Sequence, residues 1–399
     1  MRLLIFTFIF GLWIQPTDAQ HYSEFSSTIQ KLYLYKGEEL NQLWNNLVSA
    51  NSIPLVAHDS AAFLFRGEAK SVAWVGDFNG WGSSHNYHNK GVRIPDTNVW
   101  ILKLSLPKDA RLDYKIIVND NTYLLDPVNP FTQWSGVGGG SQNSEIRMPG
   151  WKVDSLTSHP LKGILKGQVI KDLFIDSKAM GYQLTYSLYI PVSYHPQEKL
   201  PIIYVTDGYE YMHERLGNMI AILDNLIHLK KIKPVVAVFI DHREPVNRSV
   251  NRRIHELAMN PQYRNFIIDE LIPLVEAKFP VSTDRVNRAI MGTSVGGLSA
   301  AYFAFTKPEV FGLAGLQSPA FWFKPEIYGV CEKAQSTPVK TFITTGLIND
   351  AREGSRKMKS VFEKKGVTFE YREVNQGHSW GNFRDLIDDM LVYFFALNE

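Results

Sequence analysis

Ser294 stands in Gly292-Thr293-Ser294-Val295-Gly296, a G-x-S-x-G pentapeptide whose spacing suits a reactive hydroxyl. The strand-like run Ala289-Ile290-Met291 precedes it, and a small, apolar stretch from Gly297 to Ala304 follows at helical spacing. A strand, a sharp turn and a helix in that order hold a serine in a strained backbone conformation with its hydroxyl exposed. Glycines are expected at the flanks because helix and strand approach too closely there for a Cβ. A serine hydroxyl is a poor nucleophile near neutrality, so it needs a base, and the base needs an orienting acid. The only histidine after Ser294 is His378, in Gln376-Gly377-His378-Ser379-Trp380, just past a strand-like run ending at Val374. The acid is expected after the run Phe342 to Thr345, where Asp350 is the best placed. Asp350 also suits the N-cap of a helix starting near Arg352, and Glu353 is its nearest rival. A trio of this kind performs acyl transfer through a covalent intermediate.

The negative charge that forms in such a reaction calls for two backbone N–H donors. Val295, directly after the serine, is expected to supply one. The second is expected from the turn Asp207-Gly208-Tyr209, which follows the strand-like Tyr204-Val205-Thr206. Tyr209 is the first choice and Gly208 the second, with Gly208 letting the backbone approach a substrate and Asp207 bracing the turn.

Strands must carry these loops. From about Gly167 onward, strand candidates (184–190, 201–206, 235–240, 287–291, 313–317, 340–345 and 368–374) alternate with helical stretches (212–228, 265–278, 352–364 and 382–396). Several strands are nearly continuous apolar runs, as expected when helices cover both faces of a mainly parallel sheet. The serine then falls on a central strand, and the order Ser, Asp, His is that of α/β-hydrolases. The stretch from Ala62 to Pro149 differs: short alternating strands punctuated by Gly80, Pro95, Pro107 and Asp120-Asn121 predict a small all-β sandwich. A polar helix is expected before it, over about 36–51. Domain boundaries are placed at 20–150 for the β unit and 160–399 for the α/β unit.

The first 19 residues read as a signal peptide. Arg2 supplies the positive charge, 3–14 the apolar run, and Thr17-Asp18-Ala19 a small-x-small cleavage site. That run is short for a membrane span, and no cysteine follows it for a lipid anchor. The protein is therefore expected to be secreted or periplasmic without stable membrane insertion. A formal net charge of +2 gives no electrostatic reason to expect nucleic acid. Cys331 is the only cysteine, which excludes an intramolecular disulfide and argues against a cysteine zinc site; no metal or other cofactor is expected. Asn247-Arg248-Ser249 is a glycosylation sequon that matters only in a eukaryotic host.

Two resemblances follow. The segment Val75 to Trp81, with Tyr114-Lys115 and Asp126-Pro127, resembles the immunoglobulin-like module that precedes the catalytic domain in glycogen-branching enzymes and several exported esterases. Trp74, Phe78 and Trp81 are read there as core and turn residues in preference to sugar platforms. Trp134 with the glycine-rich 135–141 is either a linker or a cover for the site mouth. The α/β block resembles the enterochelin (siderophore) esterase branch of the esterase D-like α/β-hydrolases. The stretches that carry this are Tyr204 to Gly208, Phe239 to Asp241, Arg253 to Leu257, Phe266 to Pro273, the serine pentapeptide, Gln317 to Trp322, and Gly377-His378.

The resemblance implies a metal-independent serine carboxylesterase whose substrate is a small-molecule or polysaccharide ester. Exported relatives act on feruloyl or acetyl esters of polysaccharide or on siderophore lactones, and an acyltransferase uses the same scaffold. A non-catalytic carbohydrate-binding protein is the remaining alternative. Trp322, Phe321 and Trp380 are candidate aromatic contacts to substrate. Arg243, Arg248, Arg252 and Arg253 are either a cationic pocket for an anionic substrate or a solvated loop, and Arg253 is a candidate substrate contact.

Overall fold

The computed structural model describes residues 18–82, 89–136, 140–192, 195, 197–334 and 339–397. The described residues begin with two helices, Asp18–Leu34 and Gly37–Ser49. The second matches expectation, whereas the first starts inside the expected cleavage site; residues 1–17 of the expected signal peptide lie outside the described residues.

Among the described residues nine strands follow: β1 (Leu55–Ala57), β2 (Ser60–Arg66), β3 (Val72–Gly76), β4 (Val92–Arg93), β5 (Val99–Ser105), β6 (Arg111–Val118), β7 (Thr122–Leu124), β8 (Thr132–Trp134) and β9 (Gln142–Arg147). They form two antiparallel sheets, β1-β2-β5-β4 and β3-β6-β9-β8, with β7 paired to β6. Residues from both sheets share one core: Phe63, Trp100 and Leu102 face Trp74, Leu112, Tyr114 and Ile146. Period-two alternation sends these side chains inward, which makes the unit a sandwich. Trp74 is fully buried, and Phe78 packs 5.2 Å from Phe63, so both are packing residues. Trp81 is partly exposed in the turn and donates its Nε1–H to Asp77.

Eight strands build the second unit: β10 (Gln168–Asp176), β11 (Gln183–Ile190), β12 (Ile202–Val205), β13 (Val236–Asp241), β14 (Arg288–Thr293), β15 (Leu313–Gln317), β16 (Lys340–Gly346) and β17 (Phe369–Val374). Their order is β10-β11-β13-β12-β14-β15-β16-β17, antiparallel through β10, β11 and β13 and parallel beyond. Both faces are covered, because alternate residues enter different cores. Ile202 and Tyr204 of β12 point into one, Ile203 and Val205 into the other. This is the α/β-hydrolase architecture expected from the strand–helix alternation. Strand β10 was not expected; it is an edge strand without a buried face, so its apolar signal is weak.

Two helices differ from the continuous stretches expected. The predicted 212–228 is divided into Gly208–Met212 and Met219–His228, with Asn218 in the left-handed region between them. The predicted 382–396 becomes Trp380–Arg384 and Ile387–Phe395.

Candidate active site

Ser294 joins β14 to the helix Val295–Thr306 with φ 57° and ψ −118°, a strained conformation for a residue with a Cβ. The glycines around it are required by contact. A Cβ on Gly292 would lie 2.1 Å from Thr206 Oγ1 and 2.6 Å from the Gly296 carbonyl carbon; one on Gly296 would lie 2.5 Å from the same hydroxyl. The elbow is locked further by Ser294 N–H donating to Gln317 O (2.9 Å) and Ala320 N–H donating to Ser294 O (2.9 Å). Among the described residues no side chain is hydrogen-bonded to Ser294 Oγ, so the hydroxyl is available.

His378 and Asp350 lie in loops at the C-terminal ends of β17 and β16, on the same end of the sheet as Ser294. His378 Nδ1 is 2.5 Å from Asp350 Oδ1. The carboxylate is buried, while the imidazole side chain keeps 34% of its surface. Asp350 also accepts from Ser318 Oγ (2.6 Å) and from the Gly346 N–H (2.5 Å). Burial alone would raise its pKa, but the hydrogen bond and charge of His378, with Ser318 and Gly346, hold it below the ordinary carboxylate range. Its rival Glu353 is exposed and takes no part in these hydrogen bonds.

The turn after β12 is held from three sides. Asp207 adopts φ 55° and ψ 33° before the helix Gly208–Met212. Its N–H donates to His242 Nε2 at 3.1 Å, and His242 Nδ1 lies 2.5 Å from Glu256. Arg253 grips the Asp207 carboxylate bidentately (2.5 and 2.9 Å) and reaches Thr293 O at 3.0 Å. Tyr209 and Val295 occupy the first turns of their helices, where N–H groups have no intrahelical acceptor. Gly208 is required by packing as well: a Cβ there would strike the β13 backbone, 2.4 Å from both Ile240 N and Phe239 C.

Several expected substrate contacts are corrected. Phe321 is fully buried against Tyr328, and Trp380 is buried between Tyr211 and Phe383; both are core residues because their backbone turns them inward. Trp322 alone of the three is accessible (57% exposed), its ring edge-on to His378 at 6.2 Å. Each arginine of the cluster is paired with an acid. Arg243 and Arg248 both pair with Asp241, Arg248 also with Asp172, Arg252 with Glu244, and Arg253 with Asp207. What looked like a basic run is thus met by acids both near in sequence (Asp241, Glu244) and distant (Asp172, Asp207).

A cavity of about 320 Å³ opens beside the acid, its lining including Trp322, Asn349, Asp350, Arg352 and Glu353. Arg352 makes no ion pair among the described residues, and the nearby Glu373 is held by Arg356. Sequence reasoning passed over Arg352 as a helix-start residue. It also gave no role to His242 and Ser318, polar residues just after buried strands, or to Glu256 in the helix Arg253–Leu257. On the other side of the site, Trp134 packs on the α/β core and a Cβ on Gly136 would meet Glu210, so this loop borders the helix Gly208–Met212. Positions 137–139 of that loop lie outside the described residues.

The sheet order and the serine elbow at the end of β14 define the class, an α/β-hydrolase. The Esterase family model matches residues 177–394, more than half of the chain. The chain belongs to that family, one of carboxylic ester hydrolases. Iron(III) enterobactin esterase of Dickeya dadantii (strain 3937) is 25% identical over 367 residues, covering 80% of this chain and 79% of that protein. Its counterpart in Escherichia coli (strain K12) is 30% identical over 213 residues, 50% of this chain and 47% of that one. The endo-1,4-beta-xylanase/feruloyl esterase of Xylanibacter ruminicola is 30% identical over 161 residues, 38% of this chain and 22% of that one. This chain thus spans about half or less of the length of those last two relatives. The crystal structure of Shigella flexneri enterobactin esterase in the presence of enterobactin superposes with a TM-score of 0.68 at 20% identity, covering 84% of this chain and 92% of that chain, a likeness of fold that reaches beyond the α/β block.

Proposed function

We propose that this protein hydrolyses carboxylic esters through an acyl-enzyme, with Ser294 as nucleophile, His378 as general base and Asp350 as the acid that orients it. The observation that carries the proposal is the His378–Asp350 hydrogen bond, on the end of the sheet where Ser294 stands at its elbow. An imidazole whose Nδ1–H is given to a carboxylate presents a basic Nε2. The Ser294 proton passes to that nitrogen as Oγ bonds the ester carbon. The resulting oxyanion is met by the N–H groups of Val295 and Tyr209. Collapse expels the alcohol, which takes the proton from His378, and water repeats the sequence to release the acid. The hydrogen bond between serine and imidazole is expected to form when substrate is present.

The substrate we propose is an ester bearing a hydroxylated aromatic acid, either a siderophore lactone or a feruloyl ester of polysaccharide. The alignment with the Dickeya enzyme over both units supports the first, and the match to a feruloyl esterase the second. The exposed Trp322 ring suits an aromatic group in either case, and Arg352 beside it suits a cation–π contact with that ring. Export through the first 19 residues belongs to the same proposal, and no described helix is long and apolar enough to cross a membrane. The test compares turnover of a ferric catecholate lactone, methyl ferulate and acetylated xylan by the full chain and by Ser294→Ala. Turnover of one of the first two that is lost in the variant is expected. Turnover retained by the variant, or absent with all three esters, overturns the proposal.

A further inference from the structure

We infer that Asp77, on the N-terminal sandwich, is a positioning residue for the Asp350–His378 pair, so the sandwich completes the active site. The inference rests on the proposed roles of Asp350 and His378. Asp77 follows β3 and is buried at 3% exposure. Both of its carboxylate oxygens are fastened within the sandwich: Oδ2 accepts from the Asp113 N–H at 2.8 Å and Oδ1 from Trp81 Nε1 at 2.9 Å. From that fixed point it touches the residue preceding each of the two partners. Its carbonyl oxygen accepts from Asn349 Nδ2 at 2.7 Å, and Asn349, at φ 49°, precedes Asp350. Its side chain lies against Gly377, which precedes His378; a Cβ there would be 2.2 Å from Asp77 Cγ and 2.5 Å from Oδ2.

Neighbouring contacts keep the two units in register. Ile348 packs against the sandwich core, Asn375 donates to Asp109 at 2.7 Å, and the buried Arg111 donates to Ser379 at 3.3 Å. Asn382 ties the two loops together, donating to Gly377 O at 2.8 Å and to Asp350 at 3.4 Å. Loops at strand ends are the most easily displaced part of a site, and an ångström of displacement costs on the order of 100-fold in rate. A rigid sandwich edge lying against both loops removes that freedom.

The test is a double-substitution cycle on the full chain. Gly377 does not occupy the left-handed region, and the three atoms nearest to a Cβ there all belong to the Asp77 side chain. Gly377→Ala is expected to lower kcat by roughly 10- to 100-fold, with KM within about 2-fold. In the Asp77→Gly background the same substitution should cost less than about 2-fold, because the obstructing atoms are gone. Asn349→Gly keeps the left-handed conformation and removes only the bond to Asp77, so a loss of roughly 10-fold in kcat is expected from a folded protein. The low-field proton resonance of the His378 Nδ1–H, lost in His378→Gln, gives a second readout. It should move in Gly377→Ala and return in the double variant. Full kcat in both Gly377→Ala and Asn349→Gly, or an equal loss from Gly377→Ala in both backgrounds, overturns the inference. Absence of Ser294-dependent turnover in the unaltered protein would overturn the hydrolase reading instead. In that case the resonance still decides on Asp77, since an unmoved signal rejects it.

Discussion

Arg253 and Asp207 form a bidentate pair beneath the turn that follows β12, at 2.5 and 2.9 Å, and the same guanidinium reaches the carbonyl of Thr293 beside the elbow. One side chain thus ties the two segments that carry Tyr209 and Val295. Bidentate guanidinium–carboxylate geometry fixes orientation as well as distance, which a lysine cannot reproduce.

Arg253→Ala should therefore lower kcat by roughly 10- to 100-fold while leaving KM nearly unchanged. It should also lower unfolding stability by about 3 kcal/mol, because the Asp207 carboxylate is left buried without its partner. Steady-state kinetics and urea denaturation check both. A rise in KM confined to anionic esters would instead return Arg253 to substrate binding.

Asp350→Asn should cost about 10⁴-fold in kcat, since the amide no longer holds the imidazole in the required tautomer. Glu353→Gln should stay within about 2-fold, as an exposed change away from these partners does little. Comparable losses in the two variants would reopen the choice of acid.

The three aromatics near the elbow should separate by readout. Trp322→Ala should raise KM for aromatic esters by roughly 10-fold, the loss of about 1.4 kcal/mol of contact, without altering thermal unfolding. Phe321→Ala and Trp380→Ala should each lower stability by about 3–5 kcal/mol, as expected for emptied core positions. A stable Trp380→Ala with raised KM would contradict its burial.

Asp388 gives a pH test independent of catalysis. Burial, with the charges of Asp154 and Asp389 nearby, pushes its pKa up to about 7. A raised folded value means that the group stabilises the fold below its unfolded value near 3.8, and that this contribution is lost as pH climbs through about 7. Asp388→Asn should thus melt at roughly 2–4 °C above the unaltered protein at pH 8, the shift expected from about 1 kcal/mol, and at the same temperature at pH 4. An equal gain at both pH values would show packing, not charge, as the cause.

Local order carried much of the site. The G-x-S-x-G pentapeptide lies between a strand and a helix, and His378 is the only histidine downstream, so both could be named from neighbours a few residues away. The parallel sheet was legible because strands buried on both faces are continuously apolar. Strand β10 escaped because an exposed edge lacks that signal.

What the sequence determined by itself was the class of fold, the serine and histidine to test, and the segments on which an acid and an oxyanion site must fall. These are properties of spacing and periodicity, and spacing is local. Only the tertiary structure decided which of the aromatic side chains are exposed and which face the core, that four clustered arginines are met by acids from as far away as Asp172 and Asp207, and that Asp77 lies against the loop of His378. Those outcomes depend on pairs of residues brought together by folding across tens to hundreds of positions, and no local pattern records which distant charge or backbone will arrive.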